Sequence, residues 1–295
     1  MIPTPKNLIL NLLLASGGDP LSASDAVASC MLFGIRENSV RVALVRLNAA
    51  GLIESVGRGA YRLGPQAATL AADVASWRHA EERVCDWDGG WLMVSTAGLR
   101  RSDRAAVRLR ERALALAGFE TLAPELHIRP DNLKGHAEGA RHRLGQLGLE
   151  ADAHVFVARD LAPELDQRAR RLWSDKHLDQ HYARTRAKLA AWLRSADQLD
   201  LETAARESYV LGNEAIRQLV FDPLLPHPLV DAQARIEFRQ AVIDFDAAGH
   251  RIWQRLLPSL RGSAGNGGLD RTAGHADKPL STQDETMLPE QRWPH

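Results

Sequence analysis

The chain has 295 residues, with 37 Lys+Arg against 37 Asp+Glu, 45% hydrophobic and 25% charged residues. These are the proportions of an ordinary soluble globular protein of two or three domains. Zero formal net charge excludes a globally basic nucleic-acid binder, so any basic surface has to be local. Cys30 and Cys85 are too few for a disulfide framework or a zinc site. The apolar run Leu8 to Ala15 is too short for a signal peptide, and no stretch is long enough to span a bilayer. A reduced, cytoplasmic protein without membrane contact is expected.

In chain order, Thr4 to Ser16 reads as a first helix. Thr4 stands in the cap position, Pro5 at the first helical position, and Leu8, Ile9, Leu12 and Leu13 form the buried stripe. Ser16-Gly17-Gly18-Asp19-Pro20 breaks it. Ser22 or Ser24 caps a second helix that runs through Phe33, and Gly34 ends it. The stretch Ile35 to Leu63 then predicts a third helix followed by a hairpin. Val40, Leu44 and Leu47, with Ala43 beside them, make one apolar face, and Asn38, Arg41, Val42, Val45 and Arg46 lie opposite. Gly51 stops the helix. Leu52 to Val56 and Ala60 to Leu63 are strand-like runs around Gly57-Arg58-Gly59. Up to Gly64 there are six basic residues against four acidic, clustered on this helix and hairpin.

A solvated amphipathic helix followed by an ordinary hairpin is the plainer reading. The order helix, helix, arginine-bearing helix, hairpin favours a winged helix-turn-helix over residues 1–64. In that reading Asn38, Ser39, Arg41, Val42, Val45 and Arg46 face base edges and phosphates of double-stranded DNA, and Arg58 tips the wing.

Residues 65–86 read as a helical linker, helical from Pro65 to Arg83. Over 87–160, strands are expected at Trp91 to Ser95, Leu126 to Arg129 and His154 to Ala158. Helices are expected at Asp103 to Ala117, capped by Ser102, and at Gly135 to Leu147. This order suggests a small ferredoxin-like α+β sandwich whose remaining strand starts at Thr121 to Ala123. Residues 161–258 read as helical, with helices at Asp179 to Arg194, Leu201 to Val220 and Asp231 to Leu257. Residues 259–295 are Gly-rich without a period and read as a disordered tail.

The chain resembles the PaaX-type transcriptional repressors of phenylacetic acid catabolism. The resemblance rests on Arg41-Val42-Ala43-Leu44-Val45-Arg46-Leu47, Gly51-Leu52, Gly57-Arg58-Gly59-Ala60-Tyr61-Arg62-Leu63, Asp88-Gly89-Gly90-Trp91, Gly118-Phe119 and Phe221-Asp222-Pro223-Leu224-Leu225-Pro226. It implies an α+β multidomain architecture: an N-terminal winged helix, a middle Cas2-like ferredoxin fold and a helical C-terminal domain. It also implies a homodimer that represses an operon until an aryl-CoA thioester, typically phenylacetyl-CoA, releases it from operator DNA. Where the family usually carries a Trp-Pro-Gly-like segment after the Asp-Pro-Leu-Leu-Pro motif, this chain has Pro228-Leu229-Val230-Asp231.

Signals for catalysis are weak. A Cas2-like nuclease needs an aspartate at the end of its first strand, and here that strand ends Val94-Ser95-Thr96. His177 and His181 have a metal-compatible i, i+4 spacing with Asp179 nearby, but no third ligand is evident. No phosphate-binding glycine loop or nucleophile elbow occurs, so no catalytic residue, metal site or cofactor is expected. Cations for an acyl-CoA effector are offered by Arg104, Arg108, Arg110 and Arg112, or by Arg184, Arg186 and Lys188. A solvated helix face is the plainer account of either set. Trp91, Trp173 and Trp192 read as core rather than as an aryl slot. Two rival functions remain: a metal-dependent nuclease on the Cas2-like part, and a protein-interaction module using a winged helix.

Overall fold

The computed structural model describes residues 3–16, 18–57, 59–67 and 76–264. It is a mixed α+β structure with two small antiparallel sheets among many helices.

The first helix, α1 (Pro5–Ala15), is capped by Thr4, whose Oγ1 accepts from the Asn7 amide, with Pro5 in its first turn. After the two-residue β1 (Leu21–Ser22) comes α2 (Ala23–Met31), capped by Ser22 through the Asp25 amide. Helix α3 (Glu37–Ala49) follows and stops at Gly51, which takes φ +65°. Strands β2 (Ile53–Ser55) and β3 (Ala60–Leu63) pair antiparallel, with Glu54 opposite Arg62. β1 adds to the far edge of β3, a pairing that the hairpin pattern does not announce. Leu8, Ile9, Leu13, Val40, Leu44, Leu47 and Ile53 close the core of this unit. Each such buried side chain contributes about 1.5–3 kcal/mol.

Residues 65–67 are helical, and residues 68–75 of the expected linker helix lie outside the described residues. Ser76–Arg83 is a 3-10 segment with non-helical dihedrals at His79, so the linker is not one continuous α-helix.

The second sheet has the order β5-β6-β4-β7. It contains β4 (Trp91–Ser95), β5 (Glu120–Ala123), β6 (Leu126–Pro130) and β7 (His154–Ala158). The strand expected to start at Thr121 is β5. Helices α4 (Arg104–Leu116) and α5 (His136–Gln146) cover one face, burying Leu92, Val94 and Val155 against Ala113, Leu114 and Leu144. Asp103, not Ser102, caps α4: its carboxylate accepts from the amides of Ala105 and Ala106. By strand alternation Trp91 and Met93 face the other way. They join Ile128 in a core shared with the C-terminal helices α6 (Pro163–Arg171), α7 (Leu178–Ser195), α8 (Leu201–Val220) and α9 (Ala232–Ala264). Helix α9 continues through Pro258, so residues 259–264 are helical instead of opening a tail. Residues 265–295 lie outside the described residues.

Buried polar groups tie the sheet to the helices at the loop Phe221 to Pro226. Arg129, 3% exposed, donates to the carbonyls of Pro130, Ala117 and Pro223. Asn132 donates to the Leu224 carbonyl at 2.6 Å. The Tyr182 hydroxyl donates to Asp222, whose carboxyl is pushed up by burial. Arg235 forks onto the Glu81 carboxylate at 2.8 and 3.0 Å and donates to the Leu225 carbonyl. Arginine suits such a place because its rigid set of donors satisfies several acceptors at once.

Candidate nucleic-acid interface

Helix α3 is built so that its two faces do different work. Val40, Leu44 and Leu47 are buried, while Asn38, Ser39, Arg41, Val42, Val45 and Arg46 are all exposed. Val42 and Val45 stand 49% and 67% exposed, high for aliphatic side chains. With Arg41 and Arg46 they border a shallow depression of about 310 Å³. Two cations flanking two branched apolar groups offer hydrogen-bond donors for guanine or phosphate beside a surface for a thymine methyl.

The two arginines are not equivalent. Arg41 donates to Glu37 one turn earlier, through Nε at 2.8 Å and through Nη2. Arg46 has no carboxylate partner among the described residues. Pattern reasoning placed Arg41 outward but missed Glu37, although the Glu37/Arg41 i, i+4 spacing was legible.

On the hairpin, Gly57 and Gly59 both adopt positive φ, +113° and +76°, which glycine alone reaches without steric cost. Arg58 between them lies outside the described residues. Arg62 is paired with Glu54 across the strands, which takes one nearby cation out of play.

The proposed effector cations fall into two unlike sets. Arg104, Arg108 and Arg112 are exposed on one face of α4 and have no carboxylate partner among the described residues, whereas Arg110 turns inward to Glu150 and the Arg100 carbonyl. On α7, Arg186 is paired with Glu237 and Lys188 with Glu214, while Arg184 is exposed. Neither set borders the depression on α3. Trp91, Trp173 and Trp192 are 1%, 3% and 8% exposed; Trp91 stacks on Trp173, with ring centroids 5.9 Å apart. Among the described residues no group of three or more His, Cys, Asp or Glu is arranged to hold a metal, His177 and His181 included. No described helix is long and apolar enough to cross a membrane.

The arginine-bearing unit rests on the C-terminal helices. Asn11 donates to the Tyr209 hydroxyl at 2.9 Å and to the Asn213 side chain at 3.1 Å. Phe33 meets Tyr209 edge to face, with centroids 5.3 Å apart. Leu12, Leu32 and Phe33 pack around Trp253 and Leu256.

Comparison with known proteins finds matches in the N-terminal and C-terminal parts of the chain. Residues 4–67 match the family described as PaaX-like protein, and residues 173–255 match the PaaX-like protein C-terminal domain. The chain is 28% identical to the transcriptional repressor PaaX of Escherichia coli (strain K12) over 235 residues, 77% of this chain and 71% of that protein. The structure is similar to that of an uncharacterized protein, Rv0674, from Mycobacterium tuberculosis: TM-score 0.60, 25% identity, 85% of this chain and 98% of that one. The matches in the N-terminal and C-terminal parts, with a curated repressor aligned over most of the chain, support a PaaX-type family for this chain.

Proposed function

We propose that the chain is a cytoplasmic DNA-binding transcriptional repressor acting as a homodimer. In this reading residues 1–64 are a winged helix-turn-helix, residues 87–160 a ferredoxin-like, Cas2-like domain, and residues 161–258 a helical C-terminal domain. The observation that carries it is α3, whose outward face presents Arg41, Val42, Val45 and Arg46 together while its inward face is closed by core. The similarity to a protein named as a repressor supports the sign of regulation. The strand order β5-β6-β4-β7, with two helices on one face, supports the ferredoxin-like reading. β7 is an edge strand on which Phe156 and Val157 are exposed, and such an edge is an opening for a second copy.

The regulated genes in this reading serve aromatic-acid, phenylacetate-type catabolism, and an aryl-CoA thioester such as phenylacetyl-CoA lifts repression. The ligand does so only as far as it binds the DNA-free form more tightly; a shift from 1:99 to 99:1 needs roughly a 10⁴-fold preference. Of the cations that the sequence offered for its phosphates, Arg104, Arg108, Arg112 and Arg184 are exposed, Arg186 and Lys188 are held by Glu237 and Glu214, and among the described residues none of them lies beside an apolar cleft that could take the aryl group.

The test is a gel-shift titration on DNA from upstream of the chain's own gene. Arg46→Ala should lose specific affinity by about tenfold or more, since a good bidentate arginine contact carries about 1–3 kcal/mol of discrimination. Arg58→Ala should weaken all sequences alike and shrink the salt slope by about 0.9 for one lost phosphate contact. Unchanged affinity in Arg46→Ala would remove α3 as the reading helix.

A further inference from the structure

The turn between α2 and α3 faces α8 across an open cleft of about 820 Å³. Small-molecule sites are typically about 300–1,000 Å³ and mostly apolar with a few placed polar groups. Leu32 and Phe33 form one wall; Val210 and Leu211 form the other, with Arg206 and Glu207 beside them. The Glu207 carboxylate is engaged by the Trp192 indole N–H at 2.7 Å. Among the described residues Arg206 donates to the Thr203 hydroxyl, at 3.1 Å, and has no carboxylate within ion-pair distance, although its charge helps to lower the Asp200 carboxyl. The cleft thus joins two apolar walls to the Arg206 guanidinium, while the Glu207 carboxylate keeps its charge and is directed to the Trp192 indole; an apolar group that carries a negative charge can meet the walls and the guanidinium together.

Its place in the fold gives it leverage. Leu32, Phe33 and Gly34 are the turn that delivers the chain into α3, and Gly34 adopts φ +73°. Phe33 is also the ring that meets Tyr209 of α8. A ligand wedged between this turn and α8 therefore bears on the entry to the arginine-bearing helix and on the contact that holds its unit to the C-terminal helices. Neither arginine cluster suggested by the sequence has this position.

We propose that this cleft is the effector site. An aromatic acyl group sits between Phe33 and Val210, and the anionic remainder of the molecule meets Arg206. The inference rests on the regulatory reading above and adds to it where the ligand binds and how it reaches α3. A free arylacetic acid shares the same chemistry, apolar ring and negative charge, and the test separates it from the thioester.

Phenylacetyl-CoA and phenylacetate are titrated separately into the whole protein by calorimetry, with and without operator DNA. The same is done for Val210→Trp, which fills the cleft, and for Arg206→Glu, which reverses a charge on an exposed side chain. The expected result is that one of the two ligands binds, and that each variant weakens it tenfold or more while binding operator normally in its absence. Operator should weaken the ligand by the factor by which ligand weakens operator. Variants that bind the ligand within twofold of the unmodified protein, and are still released from DNA by it, would overturn the cleft as the site while leaving the repressor reading intact. If neither ligand binds, the proposed effector class fails. The cleft is then probed with 8-anilinonaphthalene-1-sulfonate, an apolar anion: binding abolished by Val210→Trp supports it, and no such binding overturns it.

Discussion

Arg41 and Arg46 sit on the same exposed helix face but in different electrostatic company. Glu37 holds Arg41 by a surface pair, which is worth only about 0.3–0.5 kcal/mol. A phosphate or a guanine edge competes with it at little cost. The same carboxylate repels the DNA backbone once Arg41 has moved. Glu37→Gln should therefore raise affinity for unrelated DNA severalfold and blunt specificity, in gel shifts at fixed salt; a loss of affinity would mean that Glu37 positions Arg41 productively. Cys30 is a second residue whose setting decides its chemistry. It is fully buried in the N-terminal core, and burial pushes its thiol up to about 12 from 9.0. The folded state keeps the thiol neutral where the unfolded chain ionises, so this contribution is whole below pH 9 and lost as pH rises through 9 to 12. Urea midpoints followed by circular dichroism should fall over that window, less steeply in Cys30→Ala.

At the scale of elements, two glycines show how differently the same residue type is used. Gly212 lies where α8 packs on α9, and a Cβ there would meet the Phe245 ring at 3.5 Å, an ordinary contact. Gly212→Ala should fit and stabilise by up to about 1 kcal/mol through helix propensity and a less flexible unfolded chain. Gly64 leaves β3 directly against the end of α3, and a Cβ there would stand 2.3 Å from the Gly51 carbonyl oxygen. That atom is backbone, so Gly64→Ala has to separate the hairpin from α3 and should cost about 1–3 kcal/mol, as overpacking does. Denaturant titration of both variants checks the contrast. Equal effects would contradict it.

For the molecule as a whole, the core running from β4 and β6 into the C-terminal helices makes those parts one cooperative body. Arg235 is its most deeply buried ion-pairing cation, 1% exposed, and it joins the segment before β4, through Glu81, to the loop carrying Leu225. Arg235→Met leaves Glu81 unpaired and the Leu225 carbonyl without that donor. Removing one partner of a buried pair typically costs about 3–5 kcal/mol. Replacing both charges, with Glu81→Gln added, should recover part of that loss. Tryptophan fluorescence reports it well, because the first tryptophan in the chain is Trp77. A single variant as stable as the original would show that water satisfies both groups.

Much of this protein was determined by short-range signals. The i, i+4, i+7 spacing of Val40, Leu44 and Leu47, the Thr4 cap with Pro5, and Gly51 with positive φ each specify local backbone without help from the rest of the chain. The runs Trp91–Ser95, His154–Ala158 and Leu201–Val220 were legible for the same reason. Which α3 residues face outward follows from the same periodicity, so the candidate interface was legible too. Tertiary structure alone decided where long side chains spend their charge. Arg186 and Lys188 read as available cations until Glu237 and Glu214, 51 and 26 residues away, are brought against them. Arg110 reads as one of four exposed arginines until Glu150 draws it inward. β1 has two residues and no pattern of its own; it exists because β3 offers it an edge. Pro258 reads as a stop, yet its fixed φ is already helical, so α9 continues past it at the loss of one backbone hydrogen bond. The cleft between the α2–α3 turn and α8 is formed by residues some 170 positions apart, Phe33 and Val210 among them. Local propensity acts over a turn or two, while a cleft or an ion pair needs distant segments held at a set distance. Only the packed core supplies that.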